Sequence, residues 1–356
     1  MQFAPLPLLS NSDILANRLH NQRLTSTAFT RPEEVVSWLV AMQAQEYPMA
    51  KWAIGLRMPG LKEADVDRAF NEGAILRTHL MRPTWHFVTP ADIRWLLALT
   101  APRVHAVNAH MGRRLELDGK IFKHCNDIFV SLLEGGKHLP RTTLRSALEK
   151  TGITMQDQRM AYLLMQAELD GIICSGPRVG KQFTYALLDE KAPAARPFHR
   201  EEALAELSLR YFRSRGPATA HDFSWWSGLT VKDARAGIES LLADFQRQVI
   251  DGKEYAFLPG ETKIEDKSRI TFLLPDYDEY GISYKDRSAM GTQAEVRPTI
   301  PVGYQLIIVD GRFGGTWRRT EKKGAIIVET DIHPSVEKKK HEEIKRAVER
   351  YKTFFE

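Results

Sequence analysis

Cysteine is nearly missing from this chain: Cys125 and Cys174 are the two among 356 residues, and neither stands in a CxxC or Cys/His spacing. That argues against a disulfide scaffold and a zinc ribbon and leaves two reduced thiols as the expectation. Long apolar runs are missing too, since none reaches the roughly 20 residues a membrane-spanning helix needs. The N-terminal MQFAPLPLLSNSD has no basic region ahead of an apolar run, so a cytoplasmic protein with no membrane association is expected. No GxGxxG, P-loop or GxSxG occurs, which removes the signatures of dinucleotide binding, nucleoside-triphosphate chemistry and the hydrolase elbow. Glycine and proline never gather into a long linker, so the length points to several small domains packed together. Neither sign of charge dominates: 50 lysines and arginines face 45 acids, a formal +5 that is compatible with nucleic acid without requiring it.

What is present is an order of elements that recurs. A helical pattern runs from Asn11 to Leu24, a second helix enters at Thr30 and Pro32, and a third spans Lys62 to Asn71 before Gly73. Ala74 to His79 and Thr84 to Val88 then read as a short hairpin joined by LMRP. After a bridging helix from Thr89 and Pro90, helices are expected at Ile121 to Glu134, Thr142 to Lys150 and Gln156 to Leu169. Their hairpin is Gly171 to Cys174 with Gln182 to Leu187. The third set has helices at Glu201 to Arg215, Ala218 to Ser227 and Val231 to Ala243, with strands near Gln246 to Ile250 and Glu254 to Leu258. Three helices and a hairpin is the winged-helix order. The expectation is an α+β fold with three tandem winged-helix units, residues 1–110, 111–195 and 196–262, and a β-rich region with a C-terminal helix over 263–356.

Two kinds of site are read from the residues. The run Glu34 to Met42 (EVVSWLVAM) predicts a buried helix from whose end Gln43 and Gln45 emerge, with the proline of EYPMAK turning the chain away. A buried amide requires a partner. The second site is cationic: Arg82 in the first hairpin, Arg178 and Lys181 at the tip of the second, and Arg312, Arg318, Arg319, Lys322 and Lys323 in GRFGGTWRRTEKKG. In that last segment, residues 311–324, Gly314 and Gly315 read as a flexible tip able to approach a DNA groove.

Other candidates have bland readings that compete well. HEEIK at His341 starts like a zinc-protease helix but has Lys345 where the second ligand belongs, and His79 with His86 lacks a third ligand, so no metal is expected. Asp276, Asp278 and Glu279 in LLPDYDEY read as ion pairs or turn caps beside arginines such as Arg287. Trp225 and Trp226 are about 100° apart on a helix, so packing between domains competes with base stacking.

Five segments in order carry a resemblance: MQAQ (Met42 to Gln45), LRTHLMRPTWHFV (Leu76 to Val88), RGPATAHDFSWWSGL (Arg215 to Leu229), LLPDYDEYGISYKDRS (Leu274 to Ser288) and VDGRFGGTWRR (Val309 to Arg319). The chain resembles the AlkZ-like winged-helix DNA glycosylases, bacterial enzymes that remove alkylated purines and in some members unhook crosslinks. The resemblance implies a catalytic pair of glutamines around one small or aliphatic residue, which carries over to Gln43, Ala44 and Gln45. It implies double-stranded DNA with alkylated purines as partner. No cofactor and a monomeric, nucleoid-associated enzyme are expected with it.

An amide pair suits this chemistry. A purine alkylated at N3 or N7 is already cationic and leaves as a neutral base, so no acid is needed to protonate it. What remains is to orient a water and to stabilise an oxocarbenium-like sugar, which dipoles can do without ionising. Without an evident nucleophilic lysine, a monofunctional hydrolase is expected. The competing readings are a winged-helix regulator without chemistry and a protein-binding scaffold. Against the regulator, the helix KEADVDRAFN (residues 62–71) is acid-rich and poorly suited to reading bases.

Overall fold

The computed structural model describes residues 9–26, 29–192, 194, 198–241, 245–258, 271–291, 303, 305–322 and 324–356. Helix α1 (Asn11–Asn21) opens on a capping box between Ser10 and Asp13 and buries Ile14, Leu15 and Leu19. Helix α2 (Pro32–Leu39) starts at a proline and stops where Val40 adopts φ 66°, a region unfavourable to a β-branched residue. The apolar run therefore does not stay helical to Met42. It becomes strand β1 (Met42–Gln43), so the two glutamines do not sit at a helix end.

Nor does EYPMAK simply turn the chain. It starts helix α3 (Tyr47–Arg57), with Pro48 in the first turn, where a missing N–H costs nothing. Nine of the eleven α3 residues are buried, so the helix has little amphipathic contrast by which to be recognised. Helix α4 (Glu63–Asn71) follows, then β2 (Leu76–His79) and β3 (Trp85–Val88). The antiparallel sheet has the order β1-β3-β2 and pairs Met42 with Phe87 and Gln43 with His86.

The 22-residue helix α5 (Ile93–Arg114) leads to α6 (Gly119–Leu133), β4 (Leu139–Pro140), α7 (Arg141–Lys150), α8 (Arg159–Leu169), β5 (Ile173–Val179) and β6 (Gln182–Leu187). Its sheet order, β4-β6-β5, repeats that of the first set. After the short α9 (Leu188–Lys191) come α10 (Arg200–Arg215), α11 (Ala220–Ser227), α12 (Val231–Glu239), β7 (Gln246–Ile250) and β8 (Lys253–Phe257). Here the first strand is reduced to a bridge between Ala218 and Ala256. Helix, short strand, two helices and a hairpin, with the first strand paired to the last, thus occurs three times. The first helix of the first set is α2, and α1 stands outside the repeat.

The remainder is β9 (Thr271–Leu273), the short α13 (Glu279–Ile282), β10 (Gln305–Val309), β11 (Arg312–Lys322), β12 (Ala325–Ile332) and α14 (His341–Phe355). The strands form an antiparallel sheet in the order β12-β11-β10-β9. Helix α14 packs Tyr351 edge-on against Trp317 of β11 and Trp52 of α3, with centroids at 4.7 and 5.2 Å. Gly55 of α3 makes that approach feasible, because a Cβ there would lie 2.6 Å from the Phe354 ring.

Three apolar cores result. One joins α1 to α4 with the C-terminal sheet and helix, the second joins α5 with the third set, and the third lies within the second set. Strand β1 lies on the seam, for Val40 and Ala41 belong to the second core and Met42 and Ala44 to the first.

Candidate active site

Because only one edge of β1 pairs with β3, its other edge needs partners from elsewhere. The inner edge is closed by Ala44 N–H donating to Trp85 O at 2.7 Å. On the outer edge, Gln43 N–H donates to Glu279 Oε1 at 3.0 Å, and Ala41 O accepts from Arg215 Nη2 at 3.2 Å. Arg215 and Glu279 pair with each other at 2.7 Å, both essentially inaccessible to water. A third cation, Arg77 of β2, donates from Nε to Ala44 O at 3.0 Å. The segment 41–45 is clamped by side chains on three other elements.

The Gln43 side chain is 7% exposed, and its Oε1 accepts from Arg82 Nη2 at 3.0 Å. An arginine can only donate, which fixes the amide: oxygen faces Arg82 and the NH2 edge faces away. Gln45 is half-buried, with its carbonyl 3.5 Å from Trp85 N. Directly across the strand pair from Gln43 is His86, wholly buried, whose Nδ1 lies 3.0 Å from Thr84 O and whose Nε2 has no partner among the protein groups. The carbonyl contact requires the proton on Nδ1 and leaves an open lone pair on Nε2. Burial, helped by Arg82, pushes this imidazole down to about 3, so it is neutral at ordinary pH.

Glu279 behaves oppositely. Burial works to raise its carboxyl, but Arg215 and the Gln43 N–H outweigh that and hold it below the ordinary range. Trp226 Nε1 at 2.8 Å and Ser283 Oγ at 3.0 Å complete its partners. The neighbouring Asp278 makes a bidentate pair with Arg57, at 2.8 and 3.1 Å. Asp278 and Glu279 of LLPDYDEY are therefore ion-paired as expected, to Arg57 and Arg215, whereas Asp276 accepts from Gln305 Nε2 at 2.9 Å. The adjacent tryptophans divide: Trp226 is buried between elements, and Trp225 is 48% exposed.

A sequence model described as "DNA glycosylase AlkZ-like" matches residues 36–354. The chain belongs to the AlkZ-like DNA glycosylase family. It is similar to the "Interstrand DNA cross-link repair glycosylase" of Streptomyces sahachiroi, with 22% identity over 329 residues, 87% of this chain and 88% of that protein. The solved structure of "Streptomyces sahachiroi DNA glycosylase AlkZ" shares the fold, with a TM-score of 0.80 at 19% identity over 98% of this chain and 97% of that one. An AlkZ-like glycosylase is an enzyme acting on DNA, which sets aside the regulator and scaffold readings.

In this AlkZ-like glycosylase the basic residues are scattered, and several are engaged. Arg82 is partly buried and holds Gln43. Arg178 is no free tip: it lies over the rings of Tyr47 and Phe183, with Asp67 at 3.7 Å. Lys181, Arg312 and Lys322 are exposed, and Lys323 lies outside the described residues. Arg318 pairs across the sheet with Glu329, and Arg319 lies over the Phe355 ring. Gly314 and Gly315 are not a tip either, being buried inside β11. A Cβ on Gly314 would meet Val309 at 2.6 Å, and one on Gly315, whose φ is 139°, would meet Asp331 O at 2.2 Å.

The sequence reading missed the roles of Glu279, Arg215, Arg77 and His86 around the glutamines. All four were within reach as members of the resembling segments; what was lacking was the knowledge that those segments converge on one strand.

Proposed function

We propose that the protein is a monofunctional, monomeric glycosylase that hydrolyses the N-glycosidic bond of purines made cationic at N3 or N7 in duplex DNA, crosslinked purines included. Gln43 and Gln45 form the site in this reading. The observation that carries it is the arrangement of the amides on a clamped strand: the Gln43 NH2 edge and the half-buried Gln45 carbonyl offer one donor and one acceptor. A water that accepts from Gln43 and donates to Gln45 keeps a lone pair for C1′ of the sugar. Glu279, the carboxylate that touches β1, has both oxygens engaged by donors, so it is neither the nucleophile nor the acid. A cationic base dispenses with the acid, which matches a site built from amides.

The name of the S. sahachiroi relative supports crosslinks as part of the substrate range. The thrice-repeated order supports three winged-helix units that hold the duplex, with divisions near residues 110, 195 and 262, and Lys181, Arg312, Arg318, Arg319 and Lys322 on phosphates. Work on chromosomal DNA would place the enzyme in a bacterial cytoplasm, at the nucleoid.

The test is excision from duplexes carrying N7-methylguanine, N3-methyladenine or a bis-N7 crosslink, read as alkali-labile abasic sites. Gln43→Ala and Gln45→Ala each lose about 10² to 10³ in single-turnover rate while duplex affinity and folding persist, as expected when one preorganised contact is removed. Wild-type rates in both variants on all three lesions overturn the site.

A further inference from the structure

We infer that Glu279, held by Arg215 and Trp226, is the positioning residue of the glutamine pair, acting through the backbone of Gln43. The inference rests on the reading of Gln43 and Gln45 as the site and extends it to residues more than 170 positions away in sequence.

The geometry is that of a substituted strand. In an antiparallel sheet the outward N–H and C=O groups of alternate residues pair with the next strand. Beside β1 the described residues hold no such strand, yet two of the outward groups, Ala41 O and Gln43 N–H, are occupied. Arg215 supplies the donor and Glu279 the acceptor, and the pair between them at 2.7 Å fixes their spacing. An ion pair thus replaces a neighbouring strand across one edge of a two-residue strand that could not hold its own register.

The ion pair is itself fixed. Arg215 Nε donates to Ser283 Oγ at 2.9 Å, and the guanidinium lies over Trp226 with 4.2 Å to the ring centroid. Glu279 Oε2 accepts from Arg215, Trp226 and Ser283, which leaves Oε1 for the Gln43 N–H. Any shift of the carboxylate is passed to the Gln43 backbone, and from there to its amide. Misplacement of a reacting group by about 1 Å costs up to about 10²-fold in rate. Asp278 and Arg57 provide the comparison: they form an equally buried pair one residue away that makes no hydrogen bond to β1.

The experiment compares Glu279→Gln, Trp226→Phe and Asp278→Asn in single-turnover excision of N7-methylguanine, well below each variant's melting temperature. Glu279→Gln puts an NH2 where Oε2 receives three donors, and Trp226→Phe deletes one of those donors while keeping an aromatic ring. We expect the maximal rate to fall about 10- to 100-fold in Glu279→Gln and several-fold in Trp226→Phe, with the Kd for damaged duplex unchanged. Asp278→Asn loses thermal stability and keeps its rate. If Glu279→Gln does not fold, Trp226→Phe decides. Gln43→Ala is run alongside, alone and combined with Trp226→Phe. On the Gln43→Ala background the Trp226→Phe effect disappears, because both act through one group. Wild-type rates in the Glu279 and Trp226 variants, or full additivity with Gln43→Ala, overturn the positioning role. A wild-type rate in Gln43→Ala overturns the site itself.

Discussion

Arg82 is a residue with two candidate employments, on phosphate or on Gln43. Its φ of 56° is unusual for a side chain of this size, and a Cβ on Gly228 would lie 3.2 Å from its Cγ, so its place is tightly determined. Its contact with the Gln43 carbonyl makes catalysis the employment expected here. Arg82→Ala should lower the single-turnover rate at least about tenfold, as loss of a hydrogen bond to a positioned group does, while the salt dependence of duplex binding stays unchanged. A slope reduced by about one unit with the rate intact would move Arg82 to the DNA backbone. At this scale the burial of Gln43 was legible, because it follows an apolar run, although that run was expected to stay helical; the role proposed for Gln43 and Gln45 came from the resemblance. The part played by Glu279 was not legible, because a hydrogen bond across 236 positions leaves no local pattern.

Among elements, β11 illustrates what a charge count misses. Arg312, Arg318, Arg319, Lys322 and Lys323 crowd one segment, and the paired glycines made it look like a hairpin with a flexible tip at Gly314 and Gly315. The chain is instead an 11-residue strand whose glycines are demanded by Val309 and by the carbonyl of Asp331, with buried Trp317 anchored through Nε1 to Leu274 O at 2.9 Å. Arg318 and Arg319 follow Trp317 towards the exposed end of the β11–β12 hairpin. The Arg318–Glu329 pair is partly exposed, and pairs of this kind contribute about 0–1 kcal/mol, little enough for phosphate to displace Glu329. Replacing Arg318 and Arg319 together by Ala should weaken damaged and undamaged duplexes alike and flatten the log-log salt slope by one to two units. Unchanged affinity and slope would leave the hairpin a purely structural part. The hairpins of the three repeated sets were read nearly in place, since local alternation and turn residues define them. Helix α3 was lost because burial on all sides erases periodicity.

For the whole molecule, His86 ties stability to pH. Its folded pKa of about 3 lies below the ordinary 6.5, so between these values the unfolded chain binds the proton and the folded chain does not. Stability is therefore fully present above about 6.5 and falls as the pH drops towards 3, by about 1.4 kcal/mol per unit well inside that window. Urea unfolding should show a loss of about 2 kcal/mol between pH 7 and pH 5, and His86→Gln should flatten that interval. A wild-type profile that is already flat there would show His86 to be accessible to protons in the folded state.

The seam on which β1 lies has a consequence for how the enzyme comes into being. A ribosome delivers Gln43 early and Glu279 more than two hundred residues later, and until α10 and α13 arrive the outer edge of β1 has no partner. On the proposed site, activity is thus expected only once α13 has been made. If Gln43 and Gln45 form the site as proposed, the strand that carries them is fixed only when residues more than two hundred positions later have closed over its outer edge, so a chain truncated before α13 should fold its first hairpin and yet excise nothing.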